Sequence, residues 1–274
     1  MNNKYKNLQE AFYDLCNQLA NSPEVNSRGS KQKEKTFCSF TIEDPSDLSI
    51  NIPDRKFSVN YAIAEWLWYV SANPNVNNIG KMASIWNDIA DPDQNVESNY
   101  GNYFSPQWGW VKRELLSDPD TRRATIAINQ PYHKHKNEKD YPCTQYVQFF
   151  IRNNKLHMGV NMRSNDLVFG FCNDVFTFCL FQQLMLNELR NSGLSIELGS
   201  YFHHAGSLHV YERHYSMVDK IVKSGPYENP ENRFVLDESF SLADCICLPG
   251  IDLSKREITE YVQHAKGLLF NEYS

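Results

Sequence analysis

Residues 162–174, with the sequence MRSNDLVFGFCND, place charged side chains on both sides of a short apolar run. Arg163 and Asp166 precede the run LVFGF, and Asp174 follows it. Charged groups close to apolar surface are costly unless another side chain or a ligand pairs with them. The segment therefore predicts a site in which ionisable groups meet either one another or a bound molecule.

A thiol, an arginine pair and an apolar-flanked acid are further candidates for chemistry. Cys143, in YPCTQYVQF, begins a predicted strand; such a cysteine is either a small core residue or a nucleophile. Arg122 and Arg123, in DPDTRR, form either a solvated pair or a bidentate phosphate clamp. Glu65, in AIAEWLWY, lies on a predicted helix without a clear polar face, so it has to be paired, hydrated or functional.

The sequence does not predict a metal site or a common phosphate loop. His204 and His209 fall on opposite faces of any strand, and no nearby Asp or Cys completes a ligand set with them. Cys245-x-Cys247 lacks a second pair of ligands. Neither a G-x-G-x-x-G motif nor a P-loop occurs.

The composition indicates a globular protein, and the cysteine content indicates a reducing compartment. The 274 residues, 41% of them hydrophobic, suffice for one large domain, and a net charge of −6 argues against direct binding of DNA. The first 20 residues lack the apolar core of a signal peptide, and AIAEWLWYV is too short to span a membrane. The spacing of the seven cysteines does not match a disulfide framework, which favours free thiols and hence a cytoplasmic location. If a phage encodes the protein, this is the cytoplasm of the host.

The elements that position these residues follow from hydrophobic periodicity. Helices are predicted near residues 8–19, 57–71, 107–116, 174–191, 212–223 and 255–268, and strands at 124–129, in SIELGSYFHH and in SLHVYER. A hairpin is predicted at 145–152 and 155–163 around Asn153-Asn154, with Leu156, Met158, Val160 and Met162 on one face. Helices and strands mix without strict alternation, which favours an α+β domain on one substantial sheet.

Several segments taken together resemble the thymidylate synthase family, and more closely the dCMP hydroxymethylases of bacteriophages. The matching segments are IAEWLWYV, IWNDIAD, SNYG, DPDTRR, PCTQYVQF, NMRSNDLVFGFCND and GSLHVYERH, which span roughly residues 60–215, with Arg28 as a weaker match. The resemblance implies one domain over residues 1–274, of which 225–274 are less certain. It implies a large mixed sheet flanked by helices, and a homodimer that packs sheet to sheet and shares its active sites.

The resemblance also implies a role for each matching residue. Cys143 is the nucleophile, Glu65 orders water, Tyr100 assists proton removal, and the co-substrate is 5,10-methylenetetrahydrofolate, with no metal. The phosphate and sugar are bound by Arg28, Arg122, Arg123, Arg163, Ser164, His209 and Tyr211, with the Arg122–Arg123 pair reaching in from the partner subunit. Trp86, Asp166 and Gly170 contact the folate.

Two departures from ordinary thymidylate synthases suggest the substrate. Those enzymes carry a His where this chain has Thr144, and an Asn at the pyrimidine edge where this chain has Asp174. A carboxyl group with one shared proton donates to the ring nitrogen of cytosine and accepts from its amine. Asp174 therefore favours dCMP over dUMP, and hydroxymethylation over methylation.

Other functions remain open on the sequence alone. One is a reductive methylase, although Ile89 replaces a folate-covering aromatic and the chain ends LLFNEYS, unlike a closing apolar tail. Another is a hydroxymethylase of CMP. A third, of a different class, is a catalytically silent nucleotide-binding or RNA-binding protein, which the presence of Cys143 and of the arginine set argues against.

Overall fold

A computed structural model describes residues 3–135, 139–228 and 232–246, together with residues 265, 268 and 270. The described helices are Leu8–Ala20 (α1), Val59–Val70 (α2), Ile85–Ile89 (α3), Gly101–Ser117 (α4), Cys172–Asn191 (α5), Tyr215–Ser224 (α6) and Leu242–Ile246 (α7). The described strands are Asn3–Tyr5 (β1), Glu24–Ser27 (β2), Ser30–Ile42 (β3), Thr125–Ala127 (β4), Thr144–Arg152 (β5), Lys155–Met162 (β6), Asn165–Asp166 (β7) and Glu197–Tyr211 (β8).

One mixed sheet contains all of these strands. Its main path is β1-β3-β8-β6-β5-β4, with β2 paired to β3 and β7 paired to β8. The pairing of β6 with β8 is parallel, whereas β3 with β8 and β5 with β6 are antiparallel. The predicted α+β arrangement of one mixed sheet flanked by helices is therefore confirmed for the described part of the chain.

The β5–β6 hairpin is confirmed together with its Asn-Asn turn. Asn153 and Asn154 have φ angles of 52° and 56°. Such left-handed values suit a two-residue turn, and asparagine tolerates them better than most residues. The predicted face of β6 is also confirmed, because Leu156, Met158, Val160 and Met162 are all at most 3% exposed.

Helix α5 is the centre of the core. Phe176, Phe178 and Phe181 on this helix are fully buried, and the helix packs against β6 and β8 as well as α2 and α4. The stretch Leu167–Asn191 is long and apolar enough to cross a membrane by composition, but 83% of its apolar window is buried inside the protein. That degree of burial is typical of the core helix of a globular domain.

The structure corrects several element predictions. β3 was not predicted at all, because its sequence SKQKEKTFCSFTI is mostly polar in its first half. The two predicted strands in SIELGSYFHH and SLHVYER are one strand, β8, and α4 begins at Gly101 rather than at residue 107. LVFGF forms a π-helical turn, Leu167–Phe171, that leads directly into α5. The helix predicted at 255–268 lies almost wholly outside the described residues.

Candidate active site

Cys143 lies directly before β5 and is held by Arg163 at the end of β6. The backbone N–H of Arg163 donates to the carbonyl of Cys143 at 2.8 Å. Its guanidinium donates from Nε to the carbonyl of Pro142 at 3.1 Å and from Nη2 to that of Tyr141 at 2.6 Å. The same Nη2 lies 3.7 Å from the Cys143 Sγ. Arg163 thus fixes the loop before the thiol and places a positive charge beside it.

Strand β8 passes close to the backbone of Arg163, next to the loop that carries Cys143. The carbonyl of Arg163 accepts from the backbone N–H of Ser207 at 3.1 Å. A Cβ atom at Gly206 would lie 2.9 Å from that same carbonyl oxygen, which is closer than real Cβ atoms approach backbone. Glycine at 206 therefore permits β8 to pass directly beneath the turn that carries Arg163 and Ser164.

Asp174 lies in the first turn of α5, directly after the π-helical turn Leu167–Phe171. The Asn165 side chain donates from Nδ2 to Asp174 Oδ2 at 2.7 Å. Burial nevertheless raises the pKa of Asp174 to about 7, although the Asn165 hydrogen bond opposes that rise. Near neutral pH this carboxyl group holds and releases a proton easily.

Glu65 belongs to a buried chain of hydrogen bonds. The Trp86 indole N–H donates to the Tyr61 hydroxyl at 2.9 Å, and that hydroxyl donates to Glu65 Oε1 at 2.7 Å. Burial, helped by the nearby charge of Asp174, raises the pKa of Glu65 to about 8, while the Tyr61 hydrogen bond lowers it. Glu65 is therefore mostly protonated at neutral pH and positioned to exchange a proton.

The thiol is surrounded by opposing charges. The pKa of Cys143 is raised to about 11, chiefly by burial and to a smaller extent by the carboxyl groups of Asp174 and Asp140. The guanidinium groups of Arg163 and Arg28 act in the opposite direction. Any change that removes negative charge from Asp174 therefore makes the Cys143 thiolate easier to form.

Tyr100 lies on the same side of the core, directly before α4. Its ring stacks between Tyr69 and Phe178, with centroid distances of 5.1 and 5.5 Å. Burial raises the pKa of Tyr100 well above its usual value, and the charges of Asp174 and Cys143 act in the same direction. The hydroxyl of Tyr100 is therefore a hydrogen-bonding group at neutral pH and does not ionise.

A second group of predicted residues lies where β7 meets β8. Asp166 is paired with His209 in the strand register, and the His209 and Tyr211 rings lie 5.0 Å apart. Burial lowers the pKa of His209, which favours the neutral ring. Asp166 caps the π-helical turn by accepting from the Val168 N–H at 3.0 Å.

Arg28 and Ser164 extend the site toward solvent. Arg28 occupies the tight β2–β3 turn with a φ of 53°, is exposed, and its charge acts on both Cys143 and Tyr211. Ser164 is half-buried in the bend between β6 and β7. Both residues therefore lie on the rim of the region that contains the thiol.

Arg122 and Arg123 are placed differently from the other predicted residues. Both are exposed beside β4, at the edge of the sheet. The Arg123 Nε pairs with Glu114 Oε2 at 3.5 Å, and its guanidinium lies 5.8 Å from the Trp110 ring centroid. Both arginines therefore lie on the surface of the chain, and their predicted contact with the phosphate of a partner subunit stays a prediction.

Four residues of this region were missed in the sequence. Tyr61 precedes Glu65 by four residues on α2, a spacing that places side chains side by side, so the periodicity alone could have revealed it. Asp140 accepts from the Ser98 N–H at 2.7 Å and links the loop before Cys143 to the loop before α4. Tyr141 lies with its ring centroid 4.8 Å from the Arg163 guanidinium. Asn165 depends on long-range folding, and no local signal identifies it.

Comparisons with known proteins agree with this arrangement. The sequence profile of the thymidylate synthase family matches residues 10–266. Deoxycytidylate 5-hydroxymethyltransferase of Enterobacteria phage T4 is 34% identical over 219 residues, covering 73% of this chain and 84% of the phage protein. Thymidylate synthase 1 of Bacillus amyloliquefaciens is 27% identical, covering 69% of this chain and 84% of that protein. Deoxyuridylate hydroxymethyltransferase of Bacillus phage SP01 is 28% identical, covering 67% of this chain and 51% of that protein.

The hydrogen-bond chain predicts opposite pKa changes from two substitutions. Tyr61→Phe removes the donor that stabilises ionised Glu65, so the pKa of Glu65 should rise above about 8. Asp174→Asn removes a neighbouring negative charge, so the same pKa should fall. Infrared titration of isotopically labelled glutamate carboxyl groups measures both shifts, with Tyr132→Phe, at an exposed tyrosine, as the control. Shifts of the same sign in the two variants would contradict this electrostatic scheme.

Proposed function

The chain belongs to the thymidylate synthase family, and from that premise we propose that it hydroxymethylates dCMP. Enzymes of this family transfer a one-carbon unit to a pyrimidine nucleotide. The proposed reaction takes that unit from 5,10-methylenetetrahydrofolate to C5 of dCMP and adds water. Its products are 5-hydroxymethyl-dCMP and tetrahydrofolate.

The raised pKa of Asp174 is the observation that supports cytosine as the base. Its pKa near 7 allows one proton to be shared between the carboxyl group and the ring nitrogen of cytosine. The other carboxyl oxygen then accepts from the exocyclic amine. Uracil offers a donor and an acceptor in the reverse order, and a reversed buried pair costs on the order of 1–3 kcal/mol.

The same proton supports nucleophilic attack by Cys143. When Sγ bonds to C6, negative charge develops toward the ring nitrogen, where the Asp174 proton neutralises it. Loss of negative charge from Asp174 also makes the thiolate easier to form, because that charge raises the pKa of Cys143. The thiol proton leaves to solvent, and the adduct makes C5 nucleophilic.

The folate supplies, when bound, a carbon at the oxidation level of formaldehyde. Asp166, half-buried with one oxygen on Val168 N–H, suits a polar edge of its ring system, and the 54% exposed Phe169 ring suits a flat apolar face. Trp86 is 8% exposed and its N–H is already used by Tyr61. Trp86 therefore supports Glu65 as well as the wall of the proposed folate site, in which Gly170 leaves room.

Proton removal from C5 and hydration complete the proposed reaction. Tyr100, which keeps its proton, assists by hydrogen bonding to the water that takes the C5 proton. Once C5 has bonded to the one-carbon unit, loss of the C5 proton with cleavage of the bond to the folate nitrogen would release tetrahydrofolate and leave an exocyclic methylene on the base, which a second water attacks. Glu65 orders that water and exchanges a proton with it, and elimination of the Cys143 thiol then releases the product.

Arg28, Arg163 and Ser164 are proposed to bind the phosphate, and His209 and Tyr211 the sugar hydroxyl. Arg163 already uses Nε and Nη2 on the loop before Cys143, so Nη1 is the part of its guanidinium that remains for phosphate. Arg122 and Arg123 complete the clamp from the partner in the proposed homodimer. Exposed Phe37, Tyr146 and Phe202 on the sheet face support a second copy of this chain as the occupant of that face.

Product analysis tests the reaction as a whole. Incubation of the protein with dCMP and 5,10-methylenetetrahydrofolate should give a product of hydroxymethyl mass without the near-ultraviolet absorbance increase of dihydrofolate formation. Glu65→Gln should slow this product by roughly 10²-fold, as expected from loss of acid–base assistance. Stoichiometric dihydrofolate with a 5-methyl product would instead establish a reductive methylase, and turnover of CMP in preference to dCMP would change the sugar assignment.

Substrate preference tests the role of Asp174. Asp174→Asn should shift the ratio of kcat/KM for dCMP and dUMP toward dUMP by at least about tenfold, because two hydrogen bonds are reversed. The wild-type kcat/KM for dCMP should fall as the pH rises above about 7, since the shared proton is then lost. Asp219→Asn, at an exposed acid of α6, is the control. An unchanged ratio would mean that another group reads position 4 of the ring.

Subunit complementation tests the shared site. Cys143→Ser and Arg123→Ala chains should each be inactive, the former with dCMP binding retained. After mixing and subunit exchange, roughly a quarter of the wild-type activity should return, because half of the dimers then contain one complete site of two. Absence of recovery, with exchange verified by mass, would show that each site is built within one chain.

A further inference from the structure

Asn165 presents a buried acceptor next to the base-reading carboxyl group. The residue is 2% exposed, and its Nδ2 is committed to Asp174 Oδ2 at 2.7 Å. Within the described residues, its Oδ1 is buried without a hydrogen-bond partner. An acceptor left unpaired in a protein interior is costly, so such a group calls for a ligand donor.

The position of this acceptor follows from the amide geometry. Oδ1 and Nδ2 are bonded to one carbon, so Oδ1 lies within about 5 Å of Asp174 Oδ2. The orientation of the amide is set by Asp174, since the reverse orientation would turn Oδ1 toward a carboxylate oxygen. A group bound to Asp174 therefore lies within reach of the unused Asn165 oxygen.

We propose that Asn165 Oδ1 accepts the second N–H of the exocyclic amine of cytosine, so that Asn165 is a specificity-determining residue. The inference rests on the proposed function, in which Asp174 reads the same edge of the base. The amine carries two N–H donors, of which Asp174 accepts one. The second donor needs an acceptor of its own, because an unpaired N–H inside the site would lose a hydrogen bond to water.

The arrangement also rejects uracil independently of Asp174. The carbonyl oxygen of uracil at position 4 would face the Asn165 oxygen, and two acceptors would then oppose each other without a proton between them. Discrimination by Asn165 persists at high pH, where the proton on Asp174 is lost, because an amide does not titrate. Asp174 and Asn165 thus read the same substituent by different means.

Gly170 keeps this pair of side chains in place. A Cβ atom at position 170 would lie 3.1 Å from Asn165 Nδ2 and 3.2 Å from Asp174 Oδ2. Such contacts are tighter than most real Cβ contacts, so a side chain there would press directly on the hydrogen bond. The glycine in the π-helical turn therefore serves the base-reading pair as well as the neighbouring folate site.

Binding of three nucleotides to the full chain tests the role of Asn165. Isothermal titration calorimetry without folate compares dCMP, dUMP and the deoxyribonucleotide of 2-pyrimidinone, which lacks the amine. Asn165→Leu, similar in size, should weaken dCMP binding about tenfold and leave the pyrimidinone nucleotide within about twofold, since that base has no amine to lose. Asn173→Leu is the matched control, because the Asn173 amide donates to the Phe169 carbonyl and not to Asp174.

The outcomes separate this role from a structural one and from the proposed function. Equal weakening of all three nucleotides, or unchanged dCMP binding, would overturn the assignment of Asn165. Asn165→Ala, judged by the same ratio, replaces the leucine variant if that variant does not fold. Wild-type protein that binds dUMP in preference to dCMP, or forms no hydroxymethyl product from dCMP, would overturn the proposed function itself.

Discussion

A carboxyl group buried at the start of a core helix is the constraint on which the rest of the site depends. The Asn165 amide favours the charge of Asp174, yet burial outweighs this hydrogen bond and brings the pKa of Asp174 to about 7. Its charge raises the pKa of Glu65, Cys143 and Tyr100. One proton at Asp174 therefore shifts the pKa of each of these three groups.

Rigid elements hold this electrostatic arrangement. Cys143 and Arg163 lie at adjacent ends of the β5–β6 hairpin. β8 passes close to Arg163 at Gly206, and the Ser207 N–H donates to the Arg163 carbonyl. Arg163 uses Nε and Nη2 on the backbone of the loop before the thiol, so its guanidinium is fixed before any phosphate binds. A positive charge fixed in advance costs no reorganisation when negative charge develops on the sulfur, which is the condition for effective electrostatic catalysis.

Local patterns predicted the hairpin, its Asn-Asn turn, the core face of β6 and the helices around Glu65 and Asp174, because these depend on periodicity and turn chemistry. They missed β3, whose polar first half pairs with β8 and carries no alternating pattern. They also missed Asn165, since only the folding of β7 against the start of α5 brings it to Asp174. Residue type and position identified candidates such as Cys143, Glu65 and Asp174, the family resemblance gave them their proposed roles, and their mutual distances required the structure.

Two acids with pKa values of about 7 and 8 determine how the site divides its protons. The charge of Asp174 raises the pKa of Glu65, so ionisation of Asp174 keeps Glu65 protonated. In the proposed reaction, cytosine takes a share of the Asp174 proton, and Glu65 exchanges its own proton with the water that it orders. Under the same proposal, uracil cannot take that proton and leaves the charge of Asp174 in place, which keeps the pKa of Cys143 raised and so disfavours attack by the thiolate. Base recognition and reactivity are in this way parts of one proton equilibrium.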